Sequence, residues 1–171
     1  MLFPIIVPRR YNDGDRWVGP LRNLRHPELA VTWVVLGESA TMTYVSHSDA
    51  ACYREEEVDY EAVALRNLMQ QSEEQLFTHE KRVNGALVFA AAMHPDGLGS
   101  SRLLLVKQWQ NLFPQGYQMA LPERSCAIVA PVGIPEDEHQ ALLEMVDDCY
   151  ADGMTPMLSG LYSPEQFEVE D

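Results

Sequence analysis

Residues 99–132, GSSRLLLVKQWQNLFPQGYQMALPERSCAIVAPV, contain a predicted helix, a turn and two strands in one continuous stretch. Leucine and valine recur with Trp109 at the spacing of one helix face, and a proline and a glycine then end that helix. Apolar residues alternate along Tyr117 to Leu121, and a second apolar run covers Cys126 to Val132. The stretch predicts a fold that mixes helices and strands, and it contains no catalytic motif.

Working outward, four further apolar runs predict strands. Leu2 to Val7 is β-rich, but its two prolines restrict it to an edge strand or an extended arm. Leu29 to Leu36 and Thr41 to Val45 predict an antiparallel hairpin around Gly37-Glu38-Ser39. Ala86 to Met93 predicts a buried strand.

Helical periodicity marks two further long segments. Apolar residues from Val58 to about His79 recur mostly at three or four positions, and a second such helix runs from Glu136 to about Tyr150. Ser46 or Ser48 is expected to cap a short helix with Asp49 in its first turn. With the helix of the opening stretch, these segments predict an α+β fold, in which about three main helices pack on a mainly antiparallel sheet.

The chain length suits a single domain over residues 1–171. Residues 1–28 are expected to form an extended arm and loop, and residues 154–171 an extended acidic tail packed through Leu158, Leu161 and Phe167. No apolar run approaches the length of a membrane span, and three widely spaced cysteines without CxxC pairing favour a reducing compartment. A cytoplasmic protein that does not bind membranes is the expectation.

The net charge of −14 is unevenly distributed along the chain. Residues 1–47 carry five arginines and four acids, whereas residues 48–171 carry seven basic and 22 acidic groups. From Glu136 to Asp171 there are eleven acids and no Lys or Arg. Such a surface repels phosphate backbones, so nucleic-acid binding through it is not expected. It suits either a solvated face or the recognition of a basic partner.

The loop Asp96 to Arg102, DGLGSSR, has the form of an anion cradle, because glycines and a helix start present free backbone N–H groups. It lacks the third glycine of a dinucleotide fingerprint and the Gly-Lys-Ser/Thr of a P-loop, so a turn capped by Ser100 or Ser101 is the alternative. The junction Pro122 to Ser125 concentrates charge between two strands, and an ordinary tight loop is the alternative there. The predicted ligand-binding residues are Gly97, Gly99, Ser100, Ser101, Arg102 and Arg124.

No catalytic residue, cofactor or metal site is predicted. The serines and Cys126 lack a GxSxG motif or a local partner, and the five histidines have neither HxH nor HxxxH spacing. Glu144, Asp147 and Asp148 could place carboxylates together for a hard cation, but such faces are usually only solvated.

Four short segments resemble the bacterial family catalogued as domain of unknown function 1444. They are VDYEAVALRNL (58–68), GLGSSRLLLVKQWQNL (97–112), YQMALPERSCAIV (117–129) and LSGLY (158–162). The resemblance covers roughly residues 29–162 and implies a bacterial, cytosolic context without an established activity. Ser125 stands where that family tends to place an aspartate after the arginine, so the resemblance implies no Arg-Asp pair at Arg124.

These observations favour a non-enzymatic protein-binding module that meets its partner through the acidic C-terminal surface or an edge strand. The alternative is a small enzyme or binder of an anionic, phosphate-bearing metabolite at the 96–102 loop with Arg124. A homodimer that pairs through an exposed Leu2 to Val7 strand is a third possibility.

Overall fold

The computed structural model describes residues 1–13, 17, 19–37 and 41–170. Over these residues it contains four α-helices and two four-stranded antiparallel sheets, which confirms the predicted α+β class. The strands therefore form two sheets where one was expected. Contacts along the chain divide it into two compact units: unit 1 comprises residues 1–74 and 168–171, and unit 2 comprises residues 75–167.

Unit 1 is built on one long central strand. Its strands are β1 (Leu2–Pro8), β2 (Arg22–Asn23), β3 (Leu29–Leu36) and β4 (Met42–Tyr44). β3 pairs antiparallel with β1 along its length, and with β2 and β4 along its other edge. The pairing of β3 with β4 confirms the predicted hairpin strands, while Glu38 and Ser39 of its turn lie outside the described residues.

β1 is an edge strand rather than an extended arm. It pairs with β3 from Leu2 opposite Val35 to Pro8 opposite Leu29, and all seven of its residues are buried. The prolines are tolerated because an edge strand needs ladder hydrogen bonds on one side only. The homodimer hypothesis assumed an exposed strand here, and that assumption was wrong.

The end of the chain returns to unit 1. Val169 forms an antiparallel bridge with Leu24, and the Glu170 N–H donates to the carbonyl of Asn23 at 2.9 Å. Two ion pairs accompany this pairing, Arg9 with Glu170 at 2.8 Å and Arg25 with Glu168 at 2.7 Å. Some of the C-terminal acids are thus neutralised by the N-terminal arginines.

Two helices belong to unit 1, α1 (His47–Glu55) and α2 (Tyr60–Ser72). Ser46 is the N-cap of α1. α2 is shorter than predicted at both ends: Asp59 caps its start, and it stops at Ser72 although apolar residues continue to Phe77. The predicted helix overran because residues 79–83 pair in a sheet, and tertiary pairing outweighs local helical spacing.

Unit 2 contains the second sheet. Its strands are β5 (His79–Val83), β6 (Ala86–Ala92), β7 (Tyr117–Glu123) and β8 (Cys126–Pro131), in the spatial order β5-β6-β8-β7. β5 and β6 are joined by Asn84 and Gly85, which both have positive φ, the geometry of a tight hairpin turn. The last three strands match predicted ones, whereas β5 was not predicted.

The helices of unit 2 are α3 (Val106–Leu112) and α4 (Glu136–Asp152). The helix predicted in the opening stretch is divided: residues 100–104 form a 3-10 turn, and α3 begins after Leu105. α4 buries Leu142 and Val146 in the core formed with β7 and β8. Backbone hydrogen bonds from Met157 and Leu158 cover the outer edge of β7.

Within the described residues, no helix is both long and apolar enough to cross a lipid bilayer.

Candidate functional site

The loop that precedes the 3-10 turn is shaped by close packing. A Cβ atom at Gly99 would lie 2.1 Å from the Ser125 carbonyl oxygen and 2.4 Å from that of Ala92, so only glycine fits. Gly97 adopts φ +72°, and the Asp96 side chain accepts the Leu98 N–H at 2.8 Å. The structure therefore brings the 96–102 loop against the Pro122 to Ser125 junction, the two motifs that the sequence singled out.

Arg102 does not project from this loop. Its side chain is 1% exposed, and two guanidinium nitrogens donate to the two carboxylate oxygens of Asp96, at 3.2 and 2.8 Å. Burial alone would raise the pKa of Asp96, but hydrogen bonds from Arg102 and from the Leu98 N–H hold that pKa below its ordinary value. The predicted anion-binding cation is thus already neutralised inside the protein.

Ser100 and Ser101 are also buried. Neither caps the 3-10 turn, whose N-cap is Gly99, so the alternative of a serine cap was wrong. Ser100 Oγ, Ser101 Oγ and Arg102 Nε have no hydrogen-bond partner among the described residues. Arg102, Asp96 and His94 interact electrostatically and form a buried polar cluster.

His94 adds a titratable group to this cluster. Its Nε2 atom lies 3.4 Å from the Leu76 carbonyl oxygen. Burial and the nearby Arg102 charge lower the pKa of His94, against smaller opposing effects of the Leu76 carbonyl and Asp96. The folded protein consequently favours the neutral imidazole.

The remaining predicted residue, Arg124, is half-buried. Its backbone N–H donates to the Thr155 carbonyl at 3.1 Å, and its guanidinium forms no ion pair within the part of the chain that the structure describes. The adjacent Ser125 bonds to Glu123 through both its N–H and its hydroxyl. Burial, with smaller effects of Cys149 and Glu123, raises the pKa of Cys126 to about 12, so this thiol stays protonated at neutral pH.

α4 presents most of the C-terminal acids to solvent. Of its acids, Glu138 pairs with Lys81. The others are exposed and have no ion pair with any described residue; they are Glu136, Asp137, Glu144, Asp147, Asp148 and Asp152. Near the end of the helix two apolar side chains are exposed as well, Tyr150 at 38% and Met154 at 97%. We call Glu144, Asp147, Asp148 and Asp152, with Tyr150 and Met154, the acidic surface.

A cleft of about 640 Å³ lies in unit 1. Its lining includes two buried aromatic residues, Trp33 and Tyr60, and charged residues of both signs; the charged ones are Arg22, Arg54, Asp59 and Glu61. α1 supplies Arg54, α2 supplies Tyr60 and Glu61, and β3 supplies Trp33. We call this site the unit 1 cleft.

The sequence did not predict the unit 1 cleft. Its residues come from four separated segments, and each has a local reason to be where it is: Asp59 as an N-cap and Trp33 as a core residue. Arginines are frequent among residues 9–25, and one of them, Arg22, lines the cleft.

Comparison of the chain with protein-family models, curated proteins and solved structures gives no match. The resemblance described above therefore stays a prediction.

Proposed function

We propose that this protein is a non-enzymatic protein-binding module whose acidic surface on α4 contacts a basic partner protein. The cytoplasmic and bacterial setting inferred from the sequence is part of the proposal. The proposal rests on the exposed carboxylates at the C-terminal end of α4, which have no ion pair among the described residues.

These carboxylates disfavour the helix that carries them. The C-terminal end of a helix bears partial negative charge, and Asp147, Asp148 and Asp152 add to it. Glu144 and Asp148, and Asp148 and Asp152, are also like-charge pairs four residues apart, each costing about 0.2–0.5 kcal/mol. A partner that supplies Lys or Arg would relieve this repulsion, which supports a role in recognition.

Exposed apolar groups lie close to the same carboxylates. Tyr150 is in the last turn of α4, and Met154 follows two residues after the helix ends. Protein interfaces are enriched in aromatic residues and methionine and have a polar rim, so Tyr150 and Met154 fit an interface.

A charge-matched pair of variants tests the proposal. The first carries Asp147→Asn, Asp148→Asn and Asp152→Asn; the control carries Glu55→Gln, Glu56→Gln and Glu74→Gln, exposed acids of unit 1. Tagged full-length protein is incubated with lysate of the source cell at about 50 and 500 mM salt, where screening differs strongly. We expect the same partner to be retained by wild type and control at low salt only.

Loss of that partner in the α4 variant alone supports the acidic surface. Equal retention by both variants, or retention unchanged at high salt, contradicts it.

The alternative of an anionic-metabolite binder or small enzyme at the 96–102 loop has less support. Arg102 is buried against Asp96, so Arg124 is the one cation of the predicted set without an ion pair among the described residues.

A further inference from the structure

We propose that the unit 1 cleft binds a small zwitterion with an aromatic side chain, of the amino-acid or short-peptide class. This inference is independent of the acidic surface, because α4 belongs to unit 2.

Two aromatic residues line the cleft. Trp33 and Tyr60 are 3% and 8% exposed, and their rings meet edge to face with centroids 5.2 Å apart. Burial and the neighbouring Glu61 raise the pKa of Tyr60, against smaller opposing effects of Arg22 and Arg54, so its phenol is neutral. Ala50, also buried, adds little bulk on the α1 side. Aromatic lining residues favour contact with an apolar ring over contact with a hydrated sugar or phosphate.

Two opposite charges on the rim already satisfy each other. Arg22 Nε lies 3.3 Å from Glu61 Oε1, an ion pair within the lining itself. This pair leaves little net charge to attract a ligand.

Two other rim charges are not matched. Arg54 donates from Nε to the Ala50 carbonyl at 3.2 Å, which orients the side chain, but its terminal nitrogens have no carboxylate partner among the described residues. Asp59 accepts the Ala62 N–H at 3.0 Å through one oxygen, and it too has no ion pair there. Both line the same cleft without pairing to each other.

A ligand that carries both a carboxylate and an ammonium group would pair with both Arg54 and Asp59. A carboxylate suits the fork of the Arg54 guanidinium, and an ammonium suits the second oxygen of Asp59. The formal charges of the described lining residues sum to zero, which disfavours a multiply charged phosphate compound. The cleft volume is within the range of small-ligand sites, roughly 300–1,000 Å³.

Isothermal titration calorimetry with four probes tests the charge requirement on the full-length protein. L-phenylalanine and L-phenylalanyl-L-phenylalanine carry both charges, whereas phenylethylamine lacks the carboxylate and 3-phenylpropanoate lacks the ammonium. We expect at least one zwitterion to bind and both single-charge analogues to bind at least about tenfold more weakly. The ratio of the two zwitterion affinities separates the free amino acid from the peptide.

Binding of either single-charge analogue as tightly as the zwitterions would overturn the proposal. So would the absence of heat with both zwitterions at about 10 mM, a concentration that would reveal millimolar affinity.

Variants then locate the binding. Arg54→Met and Asp59→Asn each remove one charge, and asparagine keeps the N-cap of α2. Each is expected to weaken the zwitterion by at least about tenfold, while Arg66→Met, an exposed arginine of α2 outside the lining, leaves affinity unchanged. Ligand-induced quenching of tryptophan fluorescence should disappear in Trp33→Phe, because Trp33 is the tryptophan among the described lining residues. Wild-type affinity in both charge variants would overturn the assignment to this cleft.

Discussion

At the residue scale, the carboxylate of Asp96 has a large effect on stability, because it pairs with the buried Arg102. Arg102 is a fully buried cation, and Asp96 is its ion-pair partner. Removing one partner of a buried pair leaves a charge without solvent or counterion, which is far more costly than replacing both.

We therefore expect Asp96→Asn to lower the free energy of unfolding by about 3 kcal/mol, because Arg102 keeps its charge in the interior. Urea denaturation followed by circular dichroism measures this change. The double variant Asp96→Asn/Arg102→Met should regain part of the lost stability, since it removes the buried charge. If the double variant is no more stable than Asp96→Asn, buried charge is not the cause.

The sequence predicted Arg102 as a ligand-binding residue, but it did not indicate that the side chain forms a buried ion pair. A basic side chain at a helix start beside two glycines is typical of an anion site. Whether the side chain points outward depends on the path of the loop, which Gly99 controls by packing on the Ser125 and Ala92 carbonyls. Those contacts are distant in sequence, so no local pattern reports them.

At the scale of elements, α1 is a helix whose start is defined by a reciprocal cap. The Asp49 N–H donates to Ser46 Oγ at 3.1 Å, and the Ser46 N–H donates to the Asp49 carboxylate at 2.9 Å. Hydrogen bonds from the Ser46 hydroxyl and N–H lower the pKa of Asp49. The sequence predicted either Ser46 or Ser48 as the N-cap of α1, and the structure shows that it is Ser46.

Ser46→Ala is expected to destabilise the protein by about 1 kcal/mol, because the first turn of α1 loses a hydrogen-bond acceptor. Ser48→Ala is the control: its hydroxyl lies 2.7 Å from Ser46 Oγ but accepts no backbone N–H from the described residues, so its loss should change stability by less than about 0.5 kcal/mol. Chemical denaturation of the three proteins compares them. Equal losses in the two variants would argue against the cap.

Elements were predictable where spacing and end signals agreed. β3, β4 and β8 are apolar or β-rich runs and α4 has helical spacing, each with a clear boundary, and the structure places them close to the predicted positions. β5 was not predictable, because its sequence, HEKRV, is charged and follows an apolar run with helical spacing. Its strand form depends on pairing with β6 through the Asn84-Gly85 turn.

At the scale of the whole molecule, buried titratable groups link stability to pH. Burial lowers the pKa of His26 in unit 1, where Glu28 opposes and Arg9 assists, and the pKa of His94 in unit 2 is lowered too. A histidine with a lowered pKa in the folded state binds its proton more readily when the chain unfolds. The contribution of this histidine to the free energy of unfolding is therefore complete above its unfolded-state pKa of 6.5. That contribution declines as the pH falls below 6.5.

We expect the free energy of unfolding to decrease from about pH 7.5 to about pH 5.5, and His26→Gln or His94→Gln to reduce that slope. Asp96, whose pKa is lowered, loses its stabilising charge only at more acidic pH, as the pH falls through its folded pKa. Urea titrations at several pH values measure the slope. A slope unchanged in the histidine double variant would assign the pH dependence to other groups.

The sequence showed that the two ends of the chain differ in charge. It did not show which of these charges pair with each other. Arg9 and Arg25 meet Glu170 and Glu168 within unit 1, an arrangement that depends on the chain returning to β2. Composition alone records the totals of each charge and not which of them neutralise one another.

The return of residues 168–170 to β2 makes unit 1 discontinuous, with the whole of unit 2 inserted between its two parts. A ribosome releases chains from the N-terminus, so β2 emerges long before the residues that bridge to it exist. Unit 2 is continuous and needs no later segment for its own sheet. During synthesis the first unit to begin is therefore the last to be completed, and until then Arg9 and Arg25 are without their ion-pair partners.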